Sequence, residues 1–499
     1  MNKSASRLTC LWFAVQIVCA LAMDWAPLFA AGAEKKPATA AKPVFRAGAA
    51  TSNITPWLGD GIVGGWSAPP AKHVHDELHA RCLVLDDGAT RIALVVADSV
   101  GIPREVFDEA KRQIHEHTGL PVDRLLMSAS HTHSATSSRP RNGLAPDRPL
   151  ADYPQFLARR IADGVRRAIN NLEPARVGWG VAEVPGQVFN RRWLMKPGTP
   201  APNPFGGQDQ ARMNPGQQNP GLWKPAGPVD PQVCFLSVRA VEGRPIALVA
   251  NYSLHYVGDV PGGMVSADYF GEFCRQVEAR LAGGEKPPPL AILTNGSSGD
   301  VNNVDFRNPR KPGEVFSRIR HVAGRVAEAA LKVHGQTQFR DGLPLAMAER
   351  DIELAVRKPG AAELERAKQI LARPDDKGLP RLARYYSQQA VRLSQYPNTL
   401  KVKLQAVRIG DVAIAAIPCE VFAEIGLEIK KRSPVRPTFV IELANGYHGY
   451  LPTPEQHAVG GYETWAATSS YLEVNASRKI TATVLELLGQ VVGAPAKHP

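Results

Sequence analysis

The sequence has little cysteine for its length. Six cysteines stand in 499 residues; Cys10 and Cys19 fall in an N-terminal apolar segment, and Cys82, Cys234, Cys274 and Cys419 are widely scattered. That excludes a disulfide framework, and the absence of any CxxC excludes a thiol-based zinc site or redox pair. At most the four staple a domain that has its own core. Also missing are a run of five basic residues, an internal repeat, a GxxxxGK[ST] loop, a GxSxG elbow and any second apolar stretch long enough to cross a bilayer. These absences remove the P-loop hydrolases, the serine α/β-hydrolases and a multi-span membrane protein. The Gly-rich stretch Asn295 to Asp300 follows a strand, but lacks the lysine that phosphate binding would want.

What is present suits a globular protein. With 44% of residues hydrophobic and 21% charged, the chain can build one large or two ordinary cores, and neither disorder nor a coiled coil fits. The net charge of +12 favours anionic surfaces without naming one. Lys3 and Arg7 precede an apolar stretch from Leu8 to Met23, and small residues follow at Ala31-Gly32-Ala33. This pattern predicts a secretory signal over 1–33, and with it a secreted or periplasmic protein. The Lys/Ala/Pro stretch 34–43 reads as a tether, 44–492 as one folded domain and 493–499 as a tail.

Apolar strands alternate with amphipathic helices from Arg81 onward. Strands are expected at 81–85, 91–97, 125–129, 233–240, 246–251, 290–294, 402–407, 412–417 and 438–444. Helices are expected at 103–117, 153–170, 269–281, 315–334 and 471–488. Two further helices, 361–372 and 382–393, form a small helical insertion spanning about 360–395. The sum is an α/β fold with a mixed-sheet core and flanking helices. Phe189 to Pro231 is rich in Pro, Gly, Asn and Gln and lacks periodicity, so it is read as a lid, a binding loop or a disordered insert.

The sharpest chemical signal is Ser128-Ala129-Ser130-His131-Thr132-His133-Ser134 at the end of a buried strand. Two histidines spaced by two point to the same side of an extended chain, roughly 7 Å apart, and can address one site. Elsewhere, strand runs stop at a ligand-type residue: His255, Asp300 and Glu420, the last placed by the sequence at a helix start, whose positive end favours a carboxylate. Taken singly, each has a bland reading as a cap or a satisfied polar group. Their shared location at strand ends makes the joint reading stronger than its parts.

The order of motifs resembles the neutral/alkaline non-lysosomal ceramidases. It runs Ile54-Thr55-Pro56, Gly64-Gly65-Trp66, SxxHTHS, Asn190-Arg191, Asn251 to His255, Gly299-Asp300-Val301, Ile417 to Glu420 and Asn445 to Tyr450, covering about 45–462. By that resemblance His131, His255, Glu420 and Tyr450 fall on zinc ligands, His133 on the general acid/base, Arg191 on an active-site arginine and Tyr462 on a tyrosine that assists at the scissile amide. Two imidazoles, a carboxylate and a phenolic oxygen suit Zn2+ and leave room for a water whose pKa the cation lowers. Arg192 stands beside Arg191 as an alternative donor, and Asn251, Asp268 and Asp300 are candidates for orienting the imidazoles. The implied activity is zinc-dependent cleavage of an N-acyl amide, by resemblance ceramide to sphingosine and fatty acid. The implied partners are a lipid or other N-acyl amide substrate and, peripherally, a membrane surface touched by loop residues such as Trp193, Leu194, Phe205, Leu222 and Trp223.

Departures from the family are definite. Asn302-Asn303 replace the usual serine and proline, Ala135-Thr136 replace glycine and proline, and only Glu463 to Pro499 follow Tyr462, where the family carries a further β-sandwich domain. A zinc hydrolase of another amide or ester, or a non-catalytic ceramidase-like binding protein, therefore remain as alternatives. Among other HxH hydrolases, Ala135-Thr136 stand where the metallo-β-lactamase pattern needs Asp-His, and an amidohydrolase barrel would place its HxH on the first strand, ahead of the strands that precede His131. No basic aromatic stripe marks a nucleic-acid binder.

Overall fold

A computed structural model describes residues 44–138, 150–284, 287–311 and 313–493. The expected signal segment, the tether and, apart from Gly493 at the end of the last helix, the tail lie outside the described residues, all of which belong to one compact unit.

Eight strands form the larger sheet: β1 (Arg46–Asn53), β2 (His79–Asp86), β3 (Arg91–Ala97), β4 (Leu125–Ala129), β5 (Glu173–Glu183), β6 (Gln232–Ala240), β7 (Pro245–Tyr252) and β8 (Leu290–Asn295), in spatial order 8-7-6-5-1-2-3-4. A second sheet holds β9 (Leu345–Ala355), β10 (Thr399–Ile409), β11 (Val412–Ile417) and β12 (Thr438–Glu442) in sequence order. Most neighbours are antiparallel. Three pairs are parallel: β3 with β4, β7 with β8, and β11 with β12. A parallel pair needs a crossover, supplied by helices α1 (Arg104–Thr118), α3 (Asp268–Ala282) and α7 (Ala423–Arg432). The remaining long helices are α2 (Asp152–Asn170), α4 (Ser317–His334), α5 (Ala361–Ala372), α6 (Ala383–Ser394) and α8 (Ala476–Gly493).

The sheets pack face to face between helical layers. Leu83, Leu94, Val96, Leu236, Val249 and Ile292 of the larger sheet share one core with Val407, Ile414, Phe439 and Ile441 of the smaller. Alternate residues turn outward: Cys82, Val84 and Val95 pack with Val106, Phe107, Leu157 and Ile161 of α1 and α2. Ala413, Ala415 and Val440 pack with Ile480, Val484 and Leu487 of α8. These strands are buried on both faces, so they read in the sequence as continuous apolar runs. Phe107 is fully buried, and truncating such a ring to alanine costs about 3–5 kcal/mol.

The expected α/β class and mixed-sheet core are observed, as is the helical insertion, built by α5 and α6. Three strands go unread in the sequence. β1 and β5 carry Gly48, Gly178 and Gly180 where helices or the segments after them press on the sheet: a Cβ at Gly48 would lie 2.1 Å from the Ala168 carbonyl oxygen of α2, and one at Gly180 would lie 2.7 Å from Val333 of α4. β9 alternates charge, as an edge strand does. The closing helix begins at Ala476 rather than Tyr471, because Leu472 bridges to Val356 in extended backbone.

The 189–231 stretch carries four short strands: Phe189–Asn190 pairs with Val301–Asn302, and Arg192–Met195, Ala211–Met213 and Leu222–Pro225 form their own sheet over Trp193, Met195, Leu222 and Phe306. Its apolar side chains divide: Trp193 and Leu222 pack inward, whereas Phe205 and Trp223 are exposed. Cys82, Cys234, Cys274 and Cys419 are buried and unpaired, so the chain is not stapled among the described residues. No described helix is long and apolar enough to cross a membrane.

Candidate active site

The ends of the six parallel strands converge. Ser99 and Val100 follow β3, His131 and His133 follow β4, His255 follows β7, Ser298 and Asp300 follow β8, Glu420 follows β11, and Asn445 and Tyr447 follow β12. This is where α/β sheets place ligands, because the chain leaves each strand there in a loop free to face its neighbour. The two sheets meet at the same end through a bridge between Ser128 and Ala444.

The histidines reach one point through a turn, not along an extended chain. β4 stops at Ala129, and His131 has a left-handed backbone, φ +81. For a non-glycine residue that conformation costs about 1–3 kcal/mol and persists where the surroundings fix it. Here the His131 amide donates to Ser99 O at 2.8 Å and the Ser130 amide to Ala97 O at 2.9 Å. The turn, and not strand alternation, brings the two rings together, with centroids 4.7 Å apart.

Each imidazole is anchored through Nδ1 to a backbone carbonyl: His131 to Val100 O at 2.5 Å, His133 to Gly64 O at 2.8 Å and His255 to Ser298 O at 3.1 Å. A carbonyl can only accept, so Nδ1 carries the hydrogen in all three and each neutral ring presents a lone pair at Nε2. Those lone pairs face one another, His131 Nε2 being 2.9 Å from His255 Nε2 and 3.2 Å from His133 Nε2. Glu420 Oε2 stands 3.6 and 3.7 Å from the His131 and His255 nitrogens, and this buried oxygen has no hydrogen-bond partner. Four acceptors converge with no donor among them, an arrangement that a cation satisfies. The three histidines form a cluster that could hold a metal ion.

Electrostatics agree. Burial would raise the Glu420 carboxyl, but positive charge at the His131 position, which a bound cation would supply in place of a proton there, a 2.6 Å hydrogen bond from Tyr447 OH, and Arg191 bring it down to about 2. Burial, then the neighbouring His131, drives both His133 and His255 well below the usual imidazole range, so they stay neutral and able to bind a cation or accept a proton.

Tyr450 is the register partner of Glu420 in a two-residue parallel pair, which puts the two side chains on the same face. Burial and Glu420 push its phenol well above the ordinary range. Arg191 stands 5.4 Å from the Tyr450 ring centroid, and Tyr462 lies 5.7 Å from Tyr450, ring to ring. Burial lifts the Tyr462 phenol too, so it keeps its proton. Burial alone would lower the Arg191 guanidinium, but Tyr450, Glu463 and Glu420 raise it and keep it charged.

The two arginines differ in their contacts. Arg192 is fully buried and spends its hydrogens on Glu463, Gln456 and the Gly460 carbonyl, whereas Arg191 lies against Tyr450. Glu463 accepts from both, at 2.9 Å from Arg191 Nε and 2.8 Å from Arg192 Nη1.

A cavity of about 1270 Å³ opens onto this group, lined by His131, His133, Glu420, Tyr450 and Tyr462, with Gly64, Val100, Tyr447 and, from the helical insertion and the loop after it, Arg392 and Tyr396. His133 is half-buried and stacks on Tyr256 at 3.8 Å, while His131, His255 and Glu420 are buried.

Three expected orienting residues turn elsewhere. Asn251 donates to Thr294 and Val440, Asp268 accepts from the amides of Val257, Gly258 and Tyr269, and Asp300 accepts from Asn190 and the Ala423 amide. Asp300, rather than Glu420, therefore takes the positive end of α7; Glu420 precedes that helix in extended backbone. Gly64 and Tyr447 were missed as contributors. A Cβ on Gly64 would lie 2.6 Å from His133 Cβ, and its φ is +122, so only glycine lets the backbone seat that ring. Both residues sit inside the quoted motifs, and only the fold shows what they touch.

No protein-family model matches the sequence. Solved structures share the fold, two ceramidases among them. One is the neutral ceramidase from Pseudomonas aeruginosa, with a TM-score of 0.65 and 17% identity over 89% of this chain and 74% of that one. The other is a ceramidase complexed with C2, with a TM-score of 0.66 and 16% identity over 91% of this chain and 76% of that one. The chain is thus built on the fold of a neutral ceramidase.

Proposed function

We propose that this chain is a secreted or periplasmic zinc-dependent amidohydrolase that cleaves an N-acyl amide, with a ceramide-like lipid as the leading substrate. The observation that carries the reading is the convergence of three Nε2 lone pairs and the orphaned Glu420 Oε2 at the floor of a large cavity. The ceramidase fold supports an amide substrate, and the N-terminal apolar segment supports export.

In this reading His131, His255, Glu420 and Tyr450 hold the ion and His133 does not. The resemblance leaves His133 for proton transfer, and its burial agrees: His131, His255 and Glu420 are buried, whereas His133 is half-buried beside them, its Nε2 3.2 Å from His131 Nε2. Zinc bound there would supply Lewis acidity at the amide carbonyl and acidify a water near neutral pH. His133, fixed through Nδ1 to Gly64, presents Nε2 to accept a proton from the attacking water and to return it to the leaving amine. Tyr462 keeps its phenolic proton and donates to the oxygen that gains charge. Arg191 remains charged beside Tyr450 and favours the same developing negative charge. The exposed rings of Trp66 and Tyr385, 5.4 Å apart, extend the Tyr462 side of the site as an apolar surface for a lipid, with the chain touching a membrane only peripherally.

The test is hydrolysis of a fluorescent N-acyl-sphingosine beside short N-acyl amides and esters, before and after chelation and zinc return. Chelator-sensitive release from the sphingosine amide is expected. Cleavage of the short substrates alone would keep the site and discard the lipid, and a chain without hydrolysis would leave a ceramidase-like binding protein.

A further inference from the structure

Glu442, at the end of β12, is a fully buried carboxyl that the proposed chemistry does not use. Its contacts are specific. Oε1 accepts from Ser298 Oγ at 2.6 Å; Oε2 accepts from the Ser298 amide at 3.2 Å and the Val421 amide at 2.7 Å. Ser298 is the residue whose carbonyl anchors His255, and Val421 is the neighbour of Glu420. The two segments are otherwise joined by the Gly299 amide donating to Val421 O at 2.8 Å, in a contact so close that a Cβ on Gly299 would meet Glu420 O at 2.4 Å.

We infer that Glu442 is a positioning residue for the cation site, one side chain that locks the His255-bearing and Glu420-bearing loops at a fixed separation. The inference rests on the metal reading above. A buried amide without an acceptor is costly, and Glu442 gives the amides of Ser298 and Val421 one acceptor between them. Removing it frees both segments to drift apart, and the separation of His255 Nε2 from Glu420 Oε2 is what a metal ion would sense. Partners in this outer position commonly govern metal affinity by about 10- to 100-fold.

The geometry also dictates which substitution is tolerated. Oε2 is a pure acceptor for two N–H groups, but Oε1 meets a hydroxyl, which can reverse and accept. Glu442→Gln therefore preserves the bridge, its amide oxygen taking the two N–H groups and its NH2 donating to Ser298 Oγ. Glu442→Asp is one methylene too short to span them, and Glu442→Ala removes the link.

The experiment is zinc affinity by chelator competition on the full chain, alongside thermal unfolding of the metal-free protein. His131→Ala serves as the control for site binding. Zinc affinity should fall by roughly tenfold or more in Glu442→Asp and Glu442→Ala and stay within about threefold in Glu442→Gln. Wild-type affinity in a folded Glu442→Asp or Glu442→Ala would overturn the inference, as would a folded Glu442→Gln that binds as weakly as they do. Should Glu442→Ala fail to fold, Glu442→Asp against Glu442→Gln decides. Failure of the metal reading looks different: wild type itself would take up no zinc, or His131→Ala would bind as wild type does.

Discussion

The floor of the site and its wall are built on different terms. His131, His255 and Glu420 stand at the ends of β4, β7 and β11, strands buried on both faces, and are themselves buried. His133, Gly64, Arg392 and Tyr396, which line the cavity, and Trp66, whose ring lies against Tyr462, come from loops and the helical insertion, and several are exposed or half-buried. The floor is therefore fixed by the same packing that holds the domain together, and the wall by local contacts that can change without disturbing it. In the proposed reading the ion belongs to the first region, and proton transfer and substrate choice to the second.

The sharpest way to break this division is to alter one residue of the wall that carries chemistry. His133→Gln should lower kcat by about 10²- to 10⁴-fold, the usual share of a general acid/base, while zinc content stays at the wild-type level. Loss of the ion with the histidine would move His133 into the floor. Next in size is Gly64→Ala. Its Cβ would collide with His133 at 2.6 Å in a backbone glycine alone favours, and displacing a catalytic group by about 1 Å can cost 10²-fold in rate. Turnover should fall with little change in unfolding temperature, and wild-type kcat would show that His133 is seated by something else.

Tyr447→Phe probes the floor more gently. It removes the 2.6 Å hydrogen bond to Glu420 Oε1 and should weaken zinc by about tenfold, read by chelator competition. Trp66→Ala probes the wall's apolar rim. The ring is exposed and touches Tyr385 and Tyr462, so KM for a long-chain amide should rise severalfold while kcat for a short amide holds. Equal effects on both substrates would assign Trp66 to the chemistry.

The smallest effect concerns pH. Burial, then Arg104, lowers buried His448 to about 4, with its Nδ1 2.9 Å from Tyr471 OH. Below about pH 6.5 the unfolded chain takes up a proton that the folded chain refuses, so the stability due to this neutral ring is lost as pH falls from about 6.5 to 4. His448→Gln should flatten that part of the unfolding-temperature profile.

The same division explains what could be read from the sequence. The floor was legible because buried strands announce themselves as apolar runs and each ligand-type residue stands just past the end of one. The turn at His131 was not, since a left-handed φ on a histidine leaves no composition signal. β1 and β5 are obscured by glycines that closely packed chain requires, and the loop at 189–231 by strands of two to four residues, too short to carry a period. Glu442 lies inside the expected strand 438–444 and Tyr447 inside a motif, and only the fold shows which amides and which oxygen they meet.

The central claim is that His131, His255, Glu420 and Tyr450 hold the ion while His133 moves the proton. Zinc per chain, measured on the purified protein together with His131→Ala and His133→Gln, tests it most directly. The account predicts one zinc in the wild type and in His133→Gln, and none in His131→Ala. Zinc lost equally from both variants would contradict it, by making the three histidines a single metal-binding set.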